Sequence, residues 1–414
     1  MSPAGAGIAG CGAAPGKFEG MSTEPGTSPA PAPSPGQPHS PAHGSRIHGC
    51  LLGGALGDSL GYAVEFDSIS AIRARFGPAG LQDFSALDAG SPFSDDTQMT
   101  LYTADGLLEA LEWANDGVAA DINACLWLAY LRWLGTQGVA VPASAPFQPP
   151  RWIDAQDVLK SRRSPGNACL SGLATGEMGT VKRPVNPDSK GCGTVMRSAP
   201  FGLIPHLEAE TVYKLSADAA SLTHGHPAAR QSAGVFSLLI HALSSGHGLR
   251  EAAESALGQL LGGILRKGEN PDPEVVARLQ AALRLAGDLP GGGDVLSPED
   301  LVGELGEGWV AEEALAVALY AVLATAPGTG TGTGTADTGT ADAAGADPAQ
   351  THFRAAIAVA VNHSGDSDST ASIAGNILGA FYGERCLPAD WLAALQAPEV
   401  IRGMASKLAA VTGS

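Results

Sequence analysis

The run "GCLLGGALGDSLGY" (Gly49–Tyr62) sets Gly49, Gly53, Gly57 and Gly61 four residues apart in an otherwise apolar stretch. Four-residue spacing keeps positions on one side of an α-helix. Each interior glycine costs a helix about 0.8–1 kcal/mol relative to alanine, so such a stripe needs compensation. Close approach of a second backbone would supply it, as small-residue ridges do where helices pack tightly. A candidate partner stands far along the chain. "ASIAGNILGAFYG" (Ala371–Gly383) repeats the spacing at Gly375, Gly379 and Gly383. The expectation is that both helices lie deep in the core and bring their flanking acidic residues together.

Most of the remaining pattern is also helical. In "TQMTLYTADGLLEALEWA" (Thr97–Ala114), Leu101, Leu108 and Leu111 share a stripe with Met99 and Ala104 nearby. "EEALAVALYAVLA" (Glu312–Ala324) reads the same way. Alternating β-type segments are scarce, so an all-α fold is predicted. Residues 1–45 are dominated by Pro, Ala, Gly and Ser and are read as a disordered tail, within which Met21 is an alternative start. "GDLPGGGD" (Gly287–Asp294) is read as a loop. The Gly-Thr repeats between Pro327 and Ala349 are read as a flexible insertion within a single domain spanning residues 46–414.

An acidic cluster precedes each of two helices: Ser94-Asp95-Asp96-Thr97 and Asp366-Ser367-Asp368-Ser369-Thr370. Singly, each has an ordinary explanation as a helix N-cap. Together they hold more acid than capping needs. Asp and hydroxyl oxygens are hard ligands suited to Mg²⁺ or Mn²⁺, and a helix start keeps carboxylates ionised. The calcium-loop pattern is not met by "DSDSTASIAGNI", and His363 alone does not make a zinc site.

Composition narrows the function classes. The 414 residues carry a net charge of −18, which argues against a nucleic-acid or anionic-membrane surface. No apolar run is long enough to span a bilayer, and Asp58 interrupts the best early candidate. Six cysteines (Cys11, Cys50, Cys125, Cys169, Cys192 and Cys386) form neither a zinc pattern nor a disulfide framework. They are read as reduced thiols of a soluble cytoplasmic protein.

Six stretches in order resemble the ADP-ribosylglycohydrolase family, which includes the dinitrogenase reductase-activating glycohydrolase. They are "GCLLGGALGDSLGYAVEF", "SDDTQMTLYTADGL", "SPGNACLSGL", "SKGCGTVMRSAPFGL", "SLTHGHPAAR" and "NHSGDSDSTASIAGNILGAFYG", between about Arg46 and Gly383. The resemblance implies an orthogonal multi-helix bundle with a binuclear metal site, holding two Mg²⁺ or Mn²⁺ ions. By that resemblance the metal ligands are Ser94, Asp95, Asp96, Asp366, Asp368 and Ser369, with Ser where the family usually shows Thr. Glu65 matches the acidic residue closing the first motif, and Asp96 or Glu65 would act as the catalytic base.

For the substrate, the resemblance implies contacts from Asn167, the loop Gly191, Cys192, Gly193 and Met196, and His224. Cys192 stands where the family often shows Asn. His226 is read as peripheral, and Arg197 as pairing with an internal carboxylate in preference to a phosphate. The implied activity is hydrolysis of the bond between ADP-ribose and a protein side chain or small conjugate, by a monomer. Nucleic acid would enter only as a modified substrate. The alternative is a non-catalytic relative, either an ADP-ribose-binding protein or a crystallin-like one.

Overall fold

The two glycine stripes face each other. In the computed structural model, which describes residues 40–88, 91–147, 149–287, 295–327 and 347–413, helix α1 (His43–Tyr62) runs antiparallel to a later helix, Ser367–Tyr382. A Cβ on Gly57 would stand 2.0 Å from the Ala371 carbonyl oxygen, and one on Gly53 2.4 Å from that of Gly375. At the ends of the pair, Gly49 meets Gly379 and Gly383, while Gly61 meets Ser367 and Asp368. Backbone lies against backbone along the whole contact, so only hydrogen fits at these positions. The pairing fixes the register, and the register places the start of the later helix beside the end of α1.

Between the two, α2 (Ile69–Phe76), α3 (Asp95–Asn115) and α4 (Ile122–Thr136) come first. A short α5 (Asn167–Ala174) and a single-turn α6 (Ala199–Gly202) lead to α7 (Ala209–Ala220) and α8 (Pro227–Ser244). Then follow α9 (Leu249–Leu261), α10 (Pro273–Gly287), α11 (Pro298–Leu305) and α12 (Ala311–Ala324). Helix α13 (Pro348–Val361) precedes the glycine-striped α14 (Ser367–Tyr382), and α15 (Ala389–Ala394) and α16 (Pro398–Val411) complete the described residues. No strand occurs among the described residues, where only two isolated bridges are found. The all-α, multi-helix bundle expected from the sequence is what forms, and Ser40–Ser414 is one compact unit.

Helix α1 is buried on every side from Gly49 to Gly61, as a helix that is apolar all round must be. Arg46 fastens its first turn by donating to the carbonyls of Leu243, Ala380 and Phe381 at 2.6–2.9 Å, which ties it to the last turns of two other helices. On α3, Leu101 and Leu108 are buried as expected and Leu111 is half-buried.

Two boundaries differ from the sequence reading. Helix α1 opens at His43, inside the span assigned to the tail, and residues 1–39 lie outside the described residues. The Gly-Thr tract ends earlier than expected, because the Asp347 side chain caps α13 by accepting the Ala349 N–H. Residues 328–346 of that tract, and 288–294 of the shorter loop, lie outside the described residues. The five described cysteines are free thiols. No helix among the described residues is long and apolar enough to cross a membrane.

Candidate active site

The site begins with a residue that the sequence offered only as an interruption. Asp58, fully buried on α1, accepts the backbone N–H groups of Ser94 at 2.8 Å and Thr97 at 2.9 Å, and also the Thr97 hydroxyl. It therefore caps α3 from a different helix, satisfying amides that the first turn leaves without partners. Ser59 and Ser91 exchange hydrogen bonds through hydroxyl and carbonyl, fastening the approach to α3 against α1. Asp95 and Asp96 are thereby held at the first turn of α3. Gly166 N–H donates to Asp95 Oδ2 at 3.3 Å.

The second cluster arrives through the glycine contact. With Gly61 against Ser367 and Asp368, the first turn of α14 lies next to that of α3. The Ser369 hydroxyl donates to Asp96 Oδ2 at 2.9 Å, between residues 273 apart in sequence. Asp368 Oδ1 accepts the Ser369 backbone N–H at 2.9 Å. The carboxylate oxygens of Glu65, Asp366 and Asp368 lie within 4.8 Å of one another.

A cavity of about 690 Å³ opens over this cluster. Glu65, Asp95, Asp96, Asp366, Asp368 and Ser369 line it, together with Asn167, Gly191, Cys192, Gly193, Met196 and His224. Every sequence-expected site residue but one is thus brought to a single cavity. The exception is Ser94. It sits behind the wall with no exposed surface, its Oγ accepting the Asp96 N–H at 3.1 Å as the cap of α3.

Burial in the first place, and for all but Asp368 neighbouring carboxylates in the second, push these acids up from the usual carboxylate range. Asp58 is pushed up to about 7 and Glu65 to about 9, with Asp368 the next contributor in each case. Asp95, Asp96 and Asp366 are raised well above the usual carboxylate range by the same two causes. Asp368 is raised by burial, against hydrogen bonds from Asp366, the Ser369 N–H and Ser94 that favour its ionised form. Glu65 Oε2 is buried with no hydrogen-bond partner. Such a concentration of negative charge, with an oxygen left unsatisfied, is what a bound cation would offset.

The remaining walls come from loops. Cys192 N–H donates to the Trp309 carbonyl at 3.2 Å, so that amide is engaged within the protein. The Cys192 thiol donates to Asp366 Oδ2 at 2.8 Å; burial and that carboxylate push it up. A Cβ on Gly193 would stand 2.9 Å from Cys169 Sγ and 3.0 Å from His224 Cε1, so glycine there makes room for the histidine. His224 shares a 2.8 Å hydrogen bond with Thr223 through Nδ1. Burial, and then the Arg197 charge, lower it to about 3, so its ring is neutral. His226 caps α8 and is peripheral, as expected.

Arg197 requires a correction. It pairs with no carboxylate among the described residues. It donates to Thr223 Oγ1 at 2.7 Å and stacks over Tyr130, 4.5 Å from the ring centre. The arginine on the cavity wall is Arg162, which the sequence did not single out. Phe66 and Trp309 also escaped notice. Both line the cavity and both are exposed, with rings nearly parallel and centres 6.0 Å apart.

The sequence model of the ADP-ribosylglycohydrolases matches residues 39–414. The chain belongs to the ADP-ribosylglycohydrolase family. Among its relatives is an uncharacterised protein of Archaeoglobus fulgidus, 26% identical over 369 residues that cover 88% of this chain and 95% of that one. ADP-ribosylhydrolase ARH3 of Bos taurus is 24% identical over 364 residues, covering 84% and 87% respectively. A solved structure, of an ADP-ribosylglycohydrolase-related protein complex, matches with a TM-score of 0.55 and 23% identity over 89% of this chain and 99% of that one. The family's architecture thus accounts for the all-α bundle. In this chain Asp58 joins the paired helices to the acidic cluster through its hydrogen bonds to Ser94 and Thr97.

Proposed function

We propose that this protein is a divalent-metal-dependent hydrolase that releases ADP-ribose from a modified protein side chain or a related conjugate. The observation that carries the reading is the 2.9 Å hydrogen bond between Ser369 and Asp96, which joins the two acidic helix starts in one cavity. The donor set fits hard divalent cations, being all carboxylate and hydroxyl oxygen apart from Cys192. The unpartnered Glu65 oxygen fits as well. Asp95, Asp96, Asp366, Asp368 and Ser369 would hold two Mg²⁺ or Mn²⁺ ions, with Ser94 supporting them from behind. Bound there, the cations would supply positive charge that orients the ribose and acidifies an attacking water.

The chain's own groups divide the remaining work. Cleavage of the bond to ribose C1 builds oxocarbenium-like charge on the sugar, which the carboxylate-rich wall favours. Asp96 and Glu65 both open on the cavity, as do Asp95, Asp366 and Asp368; to one of those first two, ionised by the bound cations, we assign the proton from the water. Arg162, on the cavity wall, would meet the diphosphate. Asn167, the Gly191–Gly193 loop, Met196 and neutral His224 shape the wall on which the nucleotide would lie.

The test is a panel of ADP-ribosylated peptides, modified on arginine or on serine, given to metal-stripped protein. Free ADP-ribose should form only after Mg²⁺ or Mn²⁺ is restored, and not with the Asp96→Asn and Asp368→Asn double variant. Tight ADP-ribose binding without turnover of any conjugate would replace this reading with that of a binding protein.

A further inference from the structure

Behind the cavity wall lies a buried cation without an anion. Arg197 is 1% exposed, and its guanidinium pairs with no carboxylate among the described residues. It stacks on Tyr130 and donates to Thr223 Oγ1 at 2.7 Å, with the sulfurs of Met99 and Cys169 each at 3.5 Å. Thr223 Oγ1 in turn stands 2.8 Å from His224 Nδ1. The chain Arg197–Thr223–His224 therefore runs from the core to the cavity, which His224 lines.

The direction of each bond follows from what the groups can donate. A guanidinium has no acceptor, so Thr223 Oγ1 accepts in the first bond. Thr223 has no exposed surface, and Nδ1 is the one acceptor its hydroxyl proton reaches among the described residues. Any other arrangement would leave a buried donor without a partner. The hydroxyl therefore donates to Nδ1, which carries no proton. Burial and the Arg197 charge keep the ring neutral, so its single proton sits on Nε2.

Nε2 makes no hydrogen bond to the described residues, although His224 is only 2% exposed. It faces the Gly191–Gly193 loop, where a Cβ on Gly191 would stand 3.3 Å from it and one on Gly193 3.4 Å. Glycine at both positions keeps side chains off this edge of the ring, which lines the cavity. A free N–H with a fixed positive charge behind it fits an anionic oxygen. We propose that Arg197 and Thr223 are positioning residues that set the His224 proton on Nε2, from which the ring donates to a non-bridging oxygen of the substrate's diphosphate. The inference rests on the reading above that the cavity takes ADP-ribose.

Nitrogen magnetic resonance of full-length protein with isotope-labelled histidine tests the proposal, the His224 signals being those absent from His224→Asn. In the parent, Nε2 should resonate as a protonated ring nitrogen and Nδ1 as an unprotonated one. Thr223→Val, which keeps the shape and removes the hydroxyl, should move proton density to Nδ1, and Thr223→Ser should restore the parent pattern. Affinity for ADP-ribose with Mg²⁺ present, measured by calorimetry, should fall by about tenfold in Thr223→Val and stay within about twofold of the parent in Thr223→Ser. Added ADP-ribose should move the Nε2 resonance, and added adenosine should leave it in place. A proton found on Nδ1 in the parent, or ADP-ribose bound equally by Thr223→Val and the parent, would overturn the relay and leave the hydrolase reading standing. An Nε2 resonance that adenosine moves as far as ADP-ribose does would overturn the diphosphate as its acceptor. Failure of the parent to bind ADP-ribose would overturn this inference and the functional reading together.

Discussion

Replacing Gly57 by alanine sets two effects of known size against each other. Alanine favours the helix by about 0.8–1 kcal/mol over glycine. Its methyl group, however, would stand 2.0 Å from the Ala371 carbonyl oxygen, where ordinary contact begins at 3.4 Å. The two helices would have to part by roughly 1.4 Å, and the opposing group is backbone, which cannot swing aside as a side chain does. Overpacking of a tight core costs about 1–3 kcal/mol, and a clash with backbone belongs at the upper end. The net expectation is a loss of about 2 kcal/mol. Gly258, in the interior of α9, is the control, because a Cβ there meets nothing within 4 Å. Gly258→Ala should therefore stabilise by about 0.5–1 kcal/mol. Urea unfolding followed by circular dichroism on both variants measures the difference. A Gly57→Ala protein as stable as Gly258→Ala would refute the claim that the stripes hold backbones in contact.

Gly61→Ala should act on function as well as on stability, because its Cβ would stand 2.3 Å from the Ser367 carbonyl oxygen and 2.6 Å from the Asp368 Cα. A displacement near 1 Å at a catalytic group predicts a loss of about 100-fold in turnover, read from steady-state rates with Mn²⁺ saturating. Asp58→Asn keeps the shape of the α3 cap but halves its acceptors; Mn²⁺ affinity measured by calorimetry should fall by about tenfold. Arg162→Ala should raise KM by about tenfold with little change in kcat, if the guanidinium binds diphosphate equally in ground and transition states. The pH dependence has a definite sign. Asp58 and Glu65 are raised to about 7 and about 9, so the folded state holds protons that the unfolded chain releases near 4. The stability they contribute is present at low pH and is lost as pH rises through the folded values. The thermal midpoint of metal-stripped protein should therefore fall between pH 5 and pH 9, and Mn²⁺ should raise it more at pH 8 than at pH 5.

The elements most legible in the sequence were those with a repeating physical signature. Glycine every fourth residue has few explanations other than backbone contact, and α1 and α14 meet along that stripe. Acid in excess of capping needs marked Asp95, Asp96, Asp366 and Asp368, all of which reach the cavity. Asp58 was passed over because a single acid in an apolar helix looks like an interruption; what it caps lies in another helix. The same limit applied to Arg197. Its partners Thr223 and Tyr130 come from separate elements, and no local pattern distinguishes them from a carboxylate. Phe66, Arg162 and Trp309 stand in loops without periodicity, where composition says little about which surface they face. Asp347 could have been read as a cap, since an acid two residues before Ala349 with proline between is a common helix start.

The most direct measurement is anomalous diffraction from crystals soaked in Mn²⁺. The account requires anomalous density inside the cavity, within coordinating distance of both Asp96 and Asp368. Manganese peaks confined to the outer surface, with those two carboxylates still bound only to protein, would contradict it.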